Sequence, residues 1–172
     1  MNIEKGHLYW ITGLSGAGKT TTGQKLYNYI KSKKDNIVLL DGDILRNIYQ
    51  FQDYSNEGRR ELGFRNSRLC KMLTDQGLDV IICLIGMIED LRVWNRENIE
   101  NYHEIWLNTA LDELIKRDPK QLYAKALKNE ISGVLGINAD YEKPKNPDLV
   151  IENDGSLSPD DVVDKIIKHF SI

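Results

Sequence analysis

The sequence lacks most of what would tie it to a membrane, a metal cluster or a disulfide framework. It has two cysteines in 172 residues, Cys70 and Cys83, and they are not in a C-x-x-C spacing. Cys83 lies in the apolar run Val80–Ile85 and Cys70 in a helical pattern. Both are expected to be buried thiols in a reducing compartment. His7, His103 and His169 are scattered without ligand spacing and read as surface or structural residues. No apolar run is long enough to cross a membrane, and the opening MNIEKGHLYW has no apolar leader core. The expectation is a cytoplasmic protein without a membrane partner. An excess of positive charge is also missing. The 23 Lys and Arg face 26 Asp and Glu, for a net charge of −3. That argues against a nucleic-acid polymer as partner, whereas a small anionic ligand needs only a local cluster of cations. There is no repeat, no low-complexity tract and no linker, so residues 1–172 read as one domain.

What is present is a 41% hydrophobic chain with five short apolar runs. They are Leu8–Thr12, Ile37–Leu40, Val80–Ile85, Glu104–Leu107 and Leu149–Ile151. Each is continuous rather than alternating, the pattern of strands buried on both faces of a parallel sheet. Helical stretches are expected at 19–33, 58–76, 88–101, 109–116 and 120–129. A last helix reaches Phe170, with Pro159 in its first turn and Ser158 as N-cap. The alternation predicts a three-layer α/β fold with a five-stranded parallel sheet and right-handed crossovers. Trp10 and Trp106 fall in strands and read as core; Trp94 is open to a role in a dimer face.

The strongest chemical signal is Gly13-Leu14-Ser15-Gly16-Ala17-Gly18-Lys19-Thr20, which fits G-x-x-x-x-G-K-[ST] at every fixed position. It follows an expected strand and opens an expected helix, the context this phosphate loop requires. Its glycines let backbone N–H groups turn inward onto phosphate oxygens, and the helix start adds its positive end. Gly13, Ser15, Gly16, Ala17, Gly18, Lys19, Thr20 and Thr21 are therefore expected to bind ATP. Lys19 should reach the β- and γ-phosphates and Thr20 should ligate Mg²⁺. At the end of the second strand stands Asp41-Gly42-Asp43. Ligands of open α/β sheets sit at the carboxyl ends of strands. Asp41 is expected on the metal side and Asp43 as the base that takes a proton from an acceptor hydroxyl.

A phosphate loop alone does not separate kinase from GTPase or motor. The guanine-reading Asn-Lys-x-Asp is absent, and a motor would usually be larger. A late segment, Arg117-Asp118-Pro119-Lys120-Gln121-Leu122-Tyr123-Ala124-Lys125-Ala126, gathers the cations a lid over transferring phosphates needs.

These motifs together resemble the adenylylsulfate (APS) kinase family. The resemblance runs from Ile11–Thr21 through Leu40–Asp43 with Arg46, and on to Arg117–Lys120 and Leu122–Ala126. It ends at Gly136-Ile137, Tyr141-Glu142, Pro144 and Asn146-Pro147. It implies phosphorylation of a ribose 3′-hydroxyl with MgATP, a homodimer, and a lid at about 117–143. Asp43 and Arg46 would face the acceptor, Arg117 would lie against the ATP adenine, and Lys120 near the phosphates would join Asp43 and Lys19 in catalysis. Tyr54, Arg59, Leu62, Ile85 and Val134 would complete the acceptor site with Lys120.

The chain departs from the family on the acceptor side. Where the family has Phe-Ser-x-x-Asp-Arg-x-Glu-Asn-Ile-Arg-Arg, this chain has Tyr54-Ser55-Asn56-Glu57-Gly58-Arg59-Arg60-Glu61-Leu62-Gly63-Phe64-Arg65. Leu62 stands in place of an Asn that bonds the acceptor nucleotide. Gly86 replaces the serine of Phe-Ile-Ser-Pro, and Val134 replaces a Phe that with the residue at 54 clamps the acceptor adenine. Loss of one aromatic face costs about 1–3 kcal/mol of stacking. Losses confined to acceptor contacts point to a changed base. The family has a branch that phosphorylates cytidine diphosphoramidate in capsule modification, and cytosine suits a Tyr/Val slot. The alternatives are APS itself, another nucleotide or sugar, a P-loop hydrolase or switch, and a non-catalytic binding module.

Overall fold

The computed structural model describes residues 4–172. Five strands form one parallel sheet: β1 (His7–Thr12), β2 (Ile37–Asp41), β3 (Asp79–Cys83), β4 (Asn101–Asn108) and β5 (Leu149–Glu152). They lie side by side in the order β2-β3-β1-β4-β5. β1 is central, with Leu8 opposite Val80 on one side and Tyr102 on the other. Because consecutive side chains point to opposite faces, Leu8 and Trp10 enter one apolar layer, with Cys70, Val80 and Ile82. Tyr9 and Ile11 enter the other, with Leu26, Ile81, Ile105 and Ile166. Both layers are buried, which is why the strands read as unbroken apolar runs.

Helices cover both faces. α1 (Lys19–Lys31), α2 (Gly42–Ile48), α3 (Asn56–Asp75), α4 (Glu89–Asn98), α5 (Leu111–Arg117), α6 (Leu122–Leu127) and α7 (Pro159–Phe170) complete the chain. α7 starts as its sequence suggests. Ser158 Oγ accepts from Asp161 N at 3.2 Å, and Asp161 Oδ2 accepts from Ser158 N at 2.9 Å. Such a cap contributes about 1 kcal/mol.

Three expectations need correction. α2 was not foreseen; Asp41 ends β2 and caps this helix, its Oδ1 accepting from Asp43 N at 2.9 Å. The helix expected over 88–101 stops at Asn98, because Asn101 already pairs with His7 as the first residue of β4, a strand longer than the expected Glu104–Leu107. The late helices are shorter than 109–116 and 120–129 suggested: Leu111–Arg117 and Leu122–Leu127, the second preceded by Asp118, which accepts from Tyr123 N and Ala124 N.

Cys70 and Cys83 are buried and unpaired. His7 Nδ1 and His103 Nε2 come within 2.9 Å of each other between β1 and β4, 96 residues apart in sequence, and His103 packs with Tyr9 and Phe170. Burial next to His7 pulls the His103 pKa down to about 4. No described helix is long and apolar enough to cross a membrane.

Candidate active site

A cleft of about 1030 Å³ opens at the carboxyl ends of the strands. All the residues expected at the site line it except Gly13 and Ala17, which are buried behind the loop. The reason for Gly13 is space. A Cβ there would stand 2.7 Å from the Leu107 carbonyl oxygen. Gly18 is the N-cap of α1 with φ +91°, a left-handed conformation that glycine accepts at little cost.

The loop is held from three sides. Lys19 Nζ folds back onto Leu14 O at 2.7 Å. Tyr123 OH, from α6, donates to Ser15 O at 2.8 Å. Asn153 Nδ2, beyond β5, donates to Ala17 O at 3.0 Å. Burial pulls the Lys19 pKa down to about 8, against the opposing pull of Cys83, Asp43 and Asp41. Cys83 itself is pushed up to about 12 by burial, and its thiol donates to Lys19 O. Tyr123 falls inside the late segment but was given no role there, and Asn153 was not singled out; they lie 108 and 136 residues from the loop atoms they hold, a distance no local pattern displays.

Beside the loop, Thr20 Oγ1 donates to Asp41 Oδ2 at 2.8 Å. This brings together the hydroxyl and carboxylate expected to hold Mg²⁺. Both are hard oxygen donors, and Asp41 keeps its orientation through the α2 cap, so the residues suit that ion. Asp43, in the first turn of α2, is exposed and meets Lys120 Nζ at 2.5 Å across the cleft. This hydrogen bond raises the Lys120 pKa. Arg117 is oriented by Glu113 Oε1 at 2.9 Å and Asn153 O at 3.2 Å, so the residue that supports the loop also positions this guanidinium.

The opposite wall is built differently. Arg46 on α2 donates through Nη1 to Phe51 O at 3.1 Å and Asp53 O at 2.8 Å, and its guanidinium lies 4.2 Å above the Tyr54 ring. Tyr54 is exposed. Arg59 on α3 donates to Gly133 O at 2.5 Å and so joins α3 to the 117–143 segment. Burial, and then the nearby Arg46 charge, lowers the Arg59 pKa. Neither guanidinium forms an ion pair among the described residues, although the Asp53 carboxylate feels the Arg46 charge, and two neighbouring cations favour an incoming anion. Leu62 and Val134 are buried where they meet the cleft. Asn138 accepts from Val134 N at 2.8 Å and donates to Ile131 O, which shapes this turn.

The strand-end loop that carries Ile85 and Gly86 is anchored by Arg92, another residue not foreseen. This buried guanidinium donates to Gly86 O and Lys143 O at 3.3 Å each and pairs with Glu89 and the buried Glu104. Gly86 has φ +53°, and a Cβ there would stand 2.9 Å from the Trp10 ring. A Cβ at Gly58 would meet the Asp53 side chain at 2.3–2.7 Å.

Comparison with known proteins agrees with this arrangement. The family model for adenylylsulphate kinase matches residues 5–152. Cytidine diphosphoramidate kinase of Campylobacter jejuni subsp. jejuni is 40% identical over 96% of this chain and 97% of its own. A probable adenylyl-sulfate kinase of Pyrococcus abyssi is 34% identical over 95% of this chain and 94% of its own. Among solved structures, the APS kinase of Mycobacterium tuberculosis in complex with AMPPNP and APS superposes with a TM-score of 0.90 at 31% identity, covering 98% of this chain and 99% of that one.

Proposed function

The chain belongs to the adenylylsulphate kinase family, and from that premise we propose that it moves the γ-phosphoryl group of ATP to the ribose 3′-hydroxyl of cytidine diphosphoramidate. The observation that carries the acceptor is the pair Leu62 and Val134. Both line the cleft as apolar side chains where the family's APS contacts are an Asn and a Phe. The 40% identity to an enzyme named for that acceptor supports the same reading. APS remains the second reading, favoured by the M. tuberculosis likeness.

The residues assign themselves roles. The phosphate loop, Lys19 and Thr21 hold the ATP phosphates, and Arg117 lies against the adenine. Thr20 and Asp41 would hold Mg²⁺, which neutralises phosphate charge when bound. Arg46, Tyr54, Arg59 and Ile85 receive the acceptor. Asp43 takes the proton of the 3′-hydroxyl as its oxygen attacks the γ-phosphorus. The bond to the β–γ bridging oxygen breaks and ADP leaves with that oxygen. Lys120 is held by Asp43 through an exposed ion pair, which is weakly bound and readily exchanged. When the hydroxyl displaces it, Lys120 turns to the γ-phosphoryl oxygens, where negative charge spreads in the transition state. The segment 117–143 thus acts as the lid. Two buried, unpaired thiols suit a reducing, cytoplasmic setting, and the family resemblance extends the proposal to a homodimer.

The test is an acceptor panel with MgATP. Cytidine diphosphoramidate is expected to give a higher kcat/KM than APS. A preference for APS rejects the acceptor, and ADP release that no acceptor raises rejects the kinase reading in favour of a hydrolase.

A further inference from the structure

The cleft face of α3 carries Arg59, Leu62, Gly63 and Asn66, at intervals of three, one and three residues, which puts them on one stripe of the helix. Arg59 is bonded to Gly133 O, and Leu62 has nothing to bond with. Asn66 is different. It lines the cleft yet is only 2% exposed, and its side-chain carbonyl oxygen accepts no hydrogen bond among the described residues. It sits in the middle of a 20-residue helix, where Asn caps nothing and is a poor helix former. A buried acceptor left without a donor is destabilising, so an unpaired amide on a binding surface is accounted for by a ligand that pairs with it. The neighbouring Ser67 hydroxyl is also unpaired, but Ser67 does not line the cleft and does not bond Asn66.

We propose that Asn66 reads the amino-bearing edge of the acceptor base, doing from one helical turn deeper what Leu62 cannot do. An Asn amide offers one carbonyl acceptor beside N–H donors. Its complement is a ring edge with an exocyclic amine next to an unprotonated ring nitrogen. Cytosine has that edge at N4 and N3, and adenine at N6 and N1. From Leu62 to Asn66 is four residues, or about 6 Å along the helix axis. The base therefore passes the apolar Leu62 and ends against the amide. The apolar walls admit the ring, and Asn66 distinguishes an amino from an oxo or unsubstituted edge. This deepens the proposed function and rests on it, but it does not depend on which amino-bearing base the acceptor carries.

The experiment pairs a change in the protein with a change in the ligand. Wild type is assayed with cytidine diphosphoramidate and with the same compound built on pyrimidin-2-one, which lacks only the exocyclic amine. The deaminated acceptor is expected to lose at least about tenfold in kcat/KM, the low end for a hydrogen bond lost in a buried site. Asn66→Leu should lower the cytidine acceptor to the same level, so that its ratio between the two falls to about one, with the KM for ATP unchanged. A merely structural Asn would lower both acceptors alike and leave the ratio intact, and that result overturns the proposal. So does a wild type indifferent to the amine, a measurement that needs no variant to fold. If APS proves the better acceptor, the cytidine reading falls. The same comparison is then made with APS and its 6-deaminated purine analogue, where loss of discrimination in Asn66→Leu still supports Asn66 and retained discrimination still rejects it. If no nucleotide stimulates ADP release, the kinase reading falls and this inference with it.

Discussion

Around the phosphate loop, Leu14, Ser15 and Ala17 each accept a hydrogen bond from a different part of the chain: Lys19, Tyr123 and Asn153. Across the cleft, Tyr54 is open to solvent and Arg46 uses its Nη1 donors on the backbone of its own connecting loop. A single bond from Arg59 joins the wall to Gly133. The first half is over-determined, so a change at any one residue disturbs several contacts and the motif stays whole. In the second half Tyr54 is exposed and constrained by few contacts, although Leu62 and Val134 are buried and Gly86 is packed against Trp10. The difference teaches why the departures from the family gather where they do. A phosphate chain is the same in every use of ATP, whereas the acceptor wall has to match whatever the base presents.

The sharpest way to break this comparison is at Asp43, which stands between the halves. Asp43→Ala is expected to lower kcat by about 10²–10⁴ with the KM for ATP little changed; single-turnover rates measured at saturating ATP check it, and an unaltered rate removes Asp43 from the chemistry. On the acceptor wall, Leu62→Asn with Val134→Phe should raise kcat/KM for APS by about 5- to 150-fold, the equivalent of restoring 1–3 kcal/mol of base stacking. If the loss of stacking sets the preference, the cytidine acceptor should not gain. On the opposite side, Arg117→Ala should raise the KM for ATP by about 2- to 30-fold, the range of a cation–π contact, and leave the KM for the acceptor alone; an effect on both would merge the two halves into one.

The smallest effect is that of pH on ATP binding. Lys19 titrates near 8 in the free protein because burial disfavours its charge. Bound phosphates favour the charged form, so nucleotide binding should take up a proton above about pH 8. ATP affinity should then fall by at most about tenfold per pH unit over that range. For folding the sign is opposite: between about 8 and the ordinary lysine value the unfolded chain holds more protons, so this group adds stability to the free protein as pH rises. Calorimetry in buffers of different ionisation enthalpy reads the proton uptake directly.

The sheet and the loop were legible because their signals are contiguous. Eight adjacent residues carry the phosphate loop, and unbroken apolar runs mark strands buried on both faces. α2 was missed because Asp-Gly-Asp has the composition of a turn, and only the cap from Asp41 Oδ1 makes it the start of a helix. Tyr123, Asn153 and Arg92 act on partners far away in the chain, which no local spacing displays. His7 and His103 had no ligand spacing, yet parallel pairing of β1 with β4 sets their rings together. The substitutions at Leu62 and Val134 were visible as departures, but not that Asn66 lies unpaired on the same stripe of α3.

Gly86 bears on how such a wall can change over time. Its backbone has turned to φ +53°, and the Trp10 ring fills the space a side chain would need. Trp10 is fully buried in the central strand and has nowhere to retreat. Serine at 86 would thus require the Trp10 contact in β1 to shift first, so this point of the acceptor wall is set by the core behind it as well as by the acceptor in front of it.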